Sequence, residues 1–394
     1  MGFAQALMTS ARRELAWLRR SPWDLAMVSW VPLLAVALLW WIFSAGLPNR
    51  LPIGVMDEDH SALSRQLARF LDATPGLQLS GRYNNSAQAE QALRSAEVYA
   101  MVSIPPGFAR SIKMGRAAQV TLLHNAQLGT HSGLIQRDVR TVVATLSAGV
   151  EMAARNKRGE PAQAVRVSME PIRTGMLTLF NTSLNYEQFL AAALIPALLH
   201  ILAMTAGAWT VGRELRDGSL WRWLGVLPRW PQASGALLGK LLPAWLGLSL
   251  VASAALLWLT WGRGWYPAGS LAWVWLAELL MLALSMAMGV AAAAITRSLR
   301  VALSATGFIT APAFAFSGVG FPLVAMPVLA RAWAEVLPYT HYIRLQMEQL
   351  QMGAPLRYSL PTVVLMLLAG AGLLAVSVPL LQQACRHPHL WGKR

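Results

Sequence analysis

Apolar and polar positions alternate along this chain on a long scale. One apolar run, Leu25–Phe43, is followed by a stretch of ordinary polar character from about Gly46 to Asn185. Five further apolar runs follow at Phe189–Val211, Ala233–Leu259, Leu271–Ile295, Val301–Phe321 and Leu360–Leu381. A helix crosses a bilayer with roughly 20 predominantly apolar residues. The pattern therefore predicts an α-helical polytopic membrane protein of six transmembrane helices, with an α/β domain between helices 1 and 2. Residues 23–45 form the first span, 46–186 the inserted domain, and 187–394 a five-helix membrane domain.

Ahead of the first span, Phe3, Leu7, Ala11, Leu15 and Leu18 recur at three- and four-residue intervals with Arg12, Arg13, Arg19 and Arg20 largely between them. This predicts an amphipathic helix over residues 1–22, lying on the inner leaflet. The basic residues and apolar run also resemble a signal peptide. The run is longer than a typical signal core and carries Trp30, Trp40 and Trp41, so it reads as a retained anchor.

Within the inserted domain the period shortens. Leu51–Met56, Leu77–Leu79, Val98–Ile104 and Val120–His124 predict strands. Ser61–Leu71, with Ser61 as N-cap and Leu63, Leu67 and Phe70 inward, predicts a helix, as do Ser86–Ala96 and Ser132–Arg155. Asp57-Glu58-Asp59 reads as a solvated turn, because three adjacent acids cannot all face one ion from a strand. His124 and His131 lack the spacing of metal ligands and read as surface residues. No serine–histidine–acid arrangement stands out.

Composition sharpens this picture. Of 394 residues 55% are hydrophobic and 13% charged, against about a quarter charged in soluble domains. The single cysteine, Cys385, excludes an intrachain disulfide. A net charge of +15 raises nucleic-acid binding, but the basic residues flank apolar runs instead of forming one patch, so no nucleic-acid partner is expected. With the N-terminus inside, fourteen Lys and Arg fall on the cytosolic side and four (Arg263, Arg331, Arg344, Arg357) in short external connections. Both termini are then cytosolic and the inserted domain periplasmic or extracellular.

Two stretches carry more specific information. Gly212-Arg-Glu-Leu-Arg-Asp-Gly-Ser-Leu-Trp-Arg-Trp-Leu-Gly-Val-Leu-Pro228 leaves the second span with charge, then a Gly-Ser pair opening a short helix, then a proline. Ser219 is placed to cap that helix, and Trp221, Trp223 and Leu224 to pin it at the lipid surface. Ala313–Pro327, followed by Leu337-Pro-Tyr-Thr-His341, interrupts the fifth span with Gly and Pro. Together these resemble the ABC-2 type permease family, in the branch with a large external domain after the first helix. The first stretch matches at Arg213, Glu214, Gly218, Ser219, Leu220, Leu224 and Pro228, with Asp217 departing from the usual residue before the glycine. The second matches at Ser317, Gly318, Phe321, Pro322, Met326, Pro327 and Pro338.

The resemblance implies an ATPase-coupling helix within residues 212–230 and a re-entrant segment over 318–345, capping the external end of a pathway. Inside the spans, His200 and Glu278 need a reason: either a polar lining for cargo or helix–helix hydrogen bonds. Pro196, Pro243 and Pro312 mark expected kinks. No phosphate loop is present; Gly235-Ala-Leu-Leu-Gly239-Lys240-Leu241 has the wrong spacing and no hydroxyl. The implied protein is a transport subunit of the bacterial inner membrane, not an enzyme. It binds no cofactor or metal itself, while ATP and Mg sit on a cytosolic ATPase partner. A second permease chain, identical or related, completes it, and a periplasmic adaptor is a candidate partner of the external domain. An external sensor or assembly platform coupled to the ATPase is the alternative.

Overall fold

The computed structural model describes residues 2–46, 48–124, 129–157, 181, 185–225 and 229–391. The chain forms two compact units: Met1–Gly46 with Thr178–Arg394, and Leu47–Leu177.

The first unit opens with α1 (Phe3–Arg20), α2 (Pro22–Met27) and α3 (Trp30–Phe43). The face of α1 that packs on protein is Ala6, Ser10, Glu14 and Leu18, four residues apart. Phe3 and Leu15, of the apolar face expected on the inner leaflet, are exposed. The first apolar run breaks at Val28-Ser29, because Pro32 has no N–H to return to the Val28 carbonyl. Trp23 and Trp41 are 77% and 68% exposed, and side chains that apolar require apolar surroundings.

The inserted unit alternates β1 (Leu51–Asp57), α4 (Ala62–Asp72), β2 (Leu77–Arg82), α5 (Ser86–Arg94), β3 (Ala100–Ile104), α6 (Phe108–Lys113), β4 (Thr121–His124) and α7 (Gly129–Lys157). The sheet order is β2-β1-β3-β4, with β2, β1 and β3 parallel and β4 antiparallel to β3. Period-two alternation gives the sheet two apolar faces. Leu51, Ile53 and Val55 face a core shared with Leu67, Leu71, Phe108, Ile135 and Val139, from α4, α6 and α7. Met56 and Met101 face Ala89 and Ala92 of α5. Ser61 caps α4 in a reciprocal box with Ser64. Phe70, expected inward, is exposed, and Leu71 takes its place. Helix α6 was absent from the sequence expectations; at six residues it is too short to leave a period.

The rest of the first unit holds α8 (Ala192–Arg216), α9 (Leu220–Leu224), α10 (Trp230–Leu257), α11 (Leu271–Thr296), α12 (Leu299–Thr310), α13 (Ala313–Phe316), α14 (Val328–Val336), α15 (Pro338–Gln346) and α16 (Leu356–Arg386). Wider π-helical turns cover Glu187–Ala191 before α8, Trp258–Gly262 after α10 and Met347–Gln351 after α15. Among the described residues five helical stretches are long and apolar enough to cross a membrane: Pro22–Phe43, Glu187–Arg216, Trp230–Gly262, Leu271–Thr296 and Leu356–Arg386. The run expected as the fifth span, Val301–Phe321, with a kink at Pro312, does not form one helix of spanning length. Its helix α12 has 12 residues, about 18 Å at 1.5 Å per residue, and stops just before Pro312. Pro196 and Pro243 lie inside helices that continue through them.

Helices α8 and α11 form the centre: 61% of each apolar window is buried, against 22% and 28% for the first and last spans. Their contact is close because both offer glycine. A Cβ at Gly207 would stand 2.2 Å from the Met286 carbonyl oxygen, and one at Gly289 2.0 Å from that of Met204. Small residues at helix crossings let backbones approach where apolar surroundings provide no hydrophobic drive.

Candidate functional site

Six charged groups gather where α1, α2, α8 and α10 meet. Arg213 Nη2 donates to Glu14 Oε1 and Oε2 at 2.8 and 2.7 Å, and its Nη1 to Asp24 Oδ2 at 3.0 Å. Lys240 Nζ donates to Glu14 Oε2 at 2.8 Å and Glu214 Oε1 at 2.7 Å. Arg13 Nη2 reaches Glu214 Oε2 at 2.9 Å. Three cations face three carboxylates, and Glu14, Arg213, Glu214 and Lys240 are all buried. Trp17 lies 4.3 Å beneath the Arg213 guanidinium and Trp223 4.8 Å from the Lys240 ammonium. Charges this far from water persist only when paired and hydrogen-bonded.

Local structure brings these groups together. Gly235 and Gly239, one turn apart on α10, admit the α1 backbone: Cβ atoms there would lie 2.4 Å from the Phe3 carbonyl oxygen and 2.1 Å from that of Leu7. The string considered and rejected as a phosphate loop is thus a helix-docking surface. It sets Lys240 beside Glu14, which occupies the packed stripe of α1.

The residues expected to couple to an ATPase divide accordingly. Arg213 and Glu214 are in the network, and Ser219 joins it by donating its hydroxyl to Glu214 Oε2. Ser219 therefore stands at the first position before α9 without capping it. Gly218 turns the chain with φ +65°. Leu220 and Leu224 are buried, so Leu224 faces protein and not lipid. Trp223 gives its indole N–H to Ser10 Oγ at 2.8 Å, leaving Trp221 as the exposed ring. Pro228 lies outside the described residues.

The second motif forms a folded-back segment. Ser317 is buried, donating to the Phe314 carbonyl at 2.7 Å, and Gly318 takes φ +89°. Pro322 precedes a single 3₁₀ turn, Leu323–Ala325, and Pro327 precedes α14. Met326 is buried and Phe321 exposed.

A cavity of about 370 Å³ lies inside the helical unit, and the residues of this second motif do not line it. Its wall includes Gln188, Thr260, Glu278, Tyr342, Gln346 and Gln351, so Glu278 opens into it. His200 does not: its Nδ1 pairs with Ser285 Oγ at 2.7 Å and its ring stacks on Tyr339. The two intramembrane residues thus separate into a cavity wall and a helix–helix contact.

Sequence reasoning missed Glu14, Asp24, Lys240 and Glu187. Lys240 was counted with the loop charges although it lies inside an apolar run, and Glu14 is the one acid among the four arginines of α1. Glu187 accepts from Arg263 Nε at 2.8 Å and Nη2 at 3.0 Å, and from Trp40 Nε1 at 2.7 Å. The Arg263 guanidinium is in turn held above its ordinary pKa by that hydrogen bond.

Apolar helices of membrane-crossing length packed together around a cavity define a multi-pass helical membrane protein. Residues 22–378 match the model of the ABC-2 family transporter proteins, and the chain belongs to that family, the membrane components of ABC transporters. It is similar to ABC transporter G family member 20 of Dictyostelium discoideum, at 23% identity over 324 residues, or 82% of this chain. The chain spans 43% of that relative's length.

Proposed function

We propose that this chain is the transmembrane permease subunit of an ABC exporter, driven by ATP hydrolysed on a partner chain. Amphiphilic cargo (a drug, lipid or glycolipid) moves outward. The excess of basic residues in the connections read as cytosolic supports cytosolic termini and an external inserted domain, and the family resemblance supports a bacterial inner membrane. Helices α12 and α13 supply the sixth crossing as a broken helix, and residues 318–345 return from it as an external cap. Exposed Phe3 and Leu15 support the reading of α1 as a helix lying on the inner leaflet. A second permease chain closes the pathway, since one small bundle barely encloses a route.

The observation that carries this reading is the buried network around Lys240. An ATPase pressing on the segment from Arg213 to Leu224 moves the spans only if that segment is rigidly joined to them. The ion pairs tie α9, through Ser219 and Glu214, to α1, α8 and α10 together. Force applied at one place is then delivered to several helices.

Co-purification with candidate cytosolic ABC ATPase subunits tests this, alongside Glu214→Ala and Gly218→Pro. An ATPase that accompanies the native chain and is lost or uncoupled in the variants supports the permease. Proline cannot adopt φ +65°, so Gly218→Pro must rebuild the elbow. If no ATPase accompanies the native chain, the permease reading fails.

A further inference from the structure

Glu278 is 3% exposed, and its Oε2 has no hydrogen-bond partner among the described residues. A buried carboxylate without a partner is expensive, and intramembrane acids ordinarily pair with a cation or serve a ligand. Among the described residues no lysine, arginine or histidine lines the cavity into which Glu278 opens. Three further polar groups of the wall offer oxygen acceptors. Gln346 donates its amide to the Ala192 carbonyl, Gln351 to that of Gln188, and Thr260 its hydroxyl to that of Leu256. Each glutamine thus spends one of its two N–H groups on main chain and Thr260 its only hydroxyl proton, while the side-chain oxygens of all three keep acceptor capacity for an occupant. Aromatic rings of Trp265, Tyr266 and Tyr342 and aliphatic groups of Leu256 and Leu259 complete the wall.

The wall is also built at unusual backbone. Each of the three π-helical turns contributes: Gln188 from the first, Leu259 and Thr260 from the second, Gln351 from the third. Such turns are rare and concentrate at functional positions. A volume of about 370 Å³ is within the range of small-molecule sites.

We propose that this cavity binds a lipophilic organic cation, with Glu278 as its counter-charge and the aromatic rings providing cation–π contact. That the cation is cargo rests on the permease reading; that it binds does not. The native full-length chain in nanodiscs of zwitterionic lipid is titrated with tetraphenylphosphonium and with tetraphenylborate, which share four phenyl rings and differ in charge. Saturable phosphonium binding is expected, without saturable borate binding. Glu278→Gln should weaken phosphonium binding by about tenfold or more, the loss of one charge-assisted contact, while Glu278→Asp retains the preference for the cation. Native chain that binds no phosphonium saturably, binds borate as tightly, or is indifferent to Glu278→Gln overturns the proposal. Where Glu278→Gln fails to fold, the phosphonium–borate comparison on native chain decides alone. Because no ATPase is present, a negative result here leaves the permease reading standing, and a missing ATPase leaves cation binding standing.

Discussion

The Lys240 ammonium stands 2.7 Å from the Glu214 carboxylate, deep in the helical unit and with both side chains almost fully withdrawn from water. Glu14 shares the same ammonium from the other side, at 2.8 Å. Removing the cation leaves the buried cluster with one negative charge in excess, Glu14 held by Arg213 alone and Glu214 by Arg13 and Ser219. Lys240→Met should cost about 3–5 kcal/mol, as for other buried pairs broken from one side. Reversible SDS unfolding in micelles measures it, and the Glu14→Gln/Lys240→Met double variant should lose less than the sum of the singles.

The docking of α1 depends on what α10 lacks. Gly239→Leu drives a side chain into the Leu7 carbonyl and should cost at least the 1–3 kcal/mol or so of ordinary overpacking. The expected readout is proteolytic cleavage within residues 3–20 under conditions where native chain resists. Equal protection of both would show that α1 is held by its charges alone.

Glycines in the same unit should behave in opposite ways. Gly289→Leu meets the Met204 carbonyl and should separate α8 from α11, lowering the unfolding midpoint sharply. Gly307, inside α12, has no neighbour within 4 Å of a Cβ. Gly307→Ala should be neutral or stabilising by up to about 1 kcal/mol, the difference in helix propensity.

In the inserted unit, desolvation pushes the Asp59 pKa up, but hydrogen bonds from Ser61 and the N–H groups of Ala109, Gly107 and Phe108 outweigh it, leaving the carboxyl below its ordinary value of 3.8. A depressed folded pKa means the stabilisation is complete above the unfolded value and fades as pH falls through the folded one. Hydrogen exchange in β1 and α6 should thus accelerate as pH falls below about 4, after correction for intrinsic rates. Asp59→Asn should abolish that acid-side change.

How much of this was legible depended on whether the signal was local. Ser61 reads as a helix cap because its partner Ser64 is three residues away, and the strands show because period two survives over five residues. Four of the predicted spans, at Phe189, Ala233, Leu271 and Leu360, fall inside helices whose length alone betrays them. The fifth does not: its helix ends just before Pro312, where the sequence marks a kink that hydropathy alone would pass over. The charged network was hidden for another reason: Glu14 and Lys240 are 226 positions apart, and nothing in either neighbourhood names the other. Ser219 misled because a serine before a short helix ordinarily caps it, and here a carboxylate competes for its hydroxyl.

With its groups ionised, the cluster of Arg13, Arg213 and Lys240 with Glu14, Asp24 and Glu214 sums to zero. A single charge carried across a membrane works against the potential at about 2.3 kcal/mol per 100 mV. A displacement that carries these six groups together moves no net charge. The joint is thus electrically neutral as a unit, although the chain around it holds fifteen positive charges in excess.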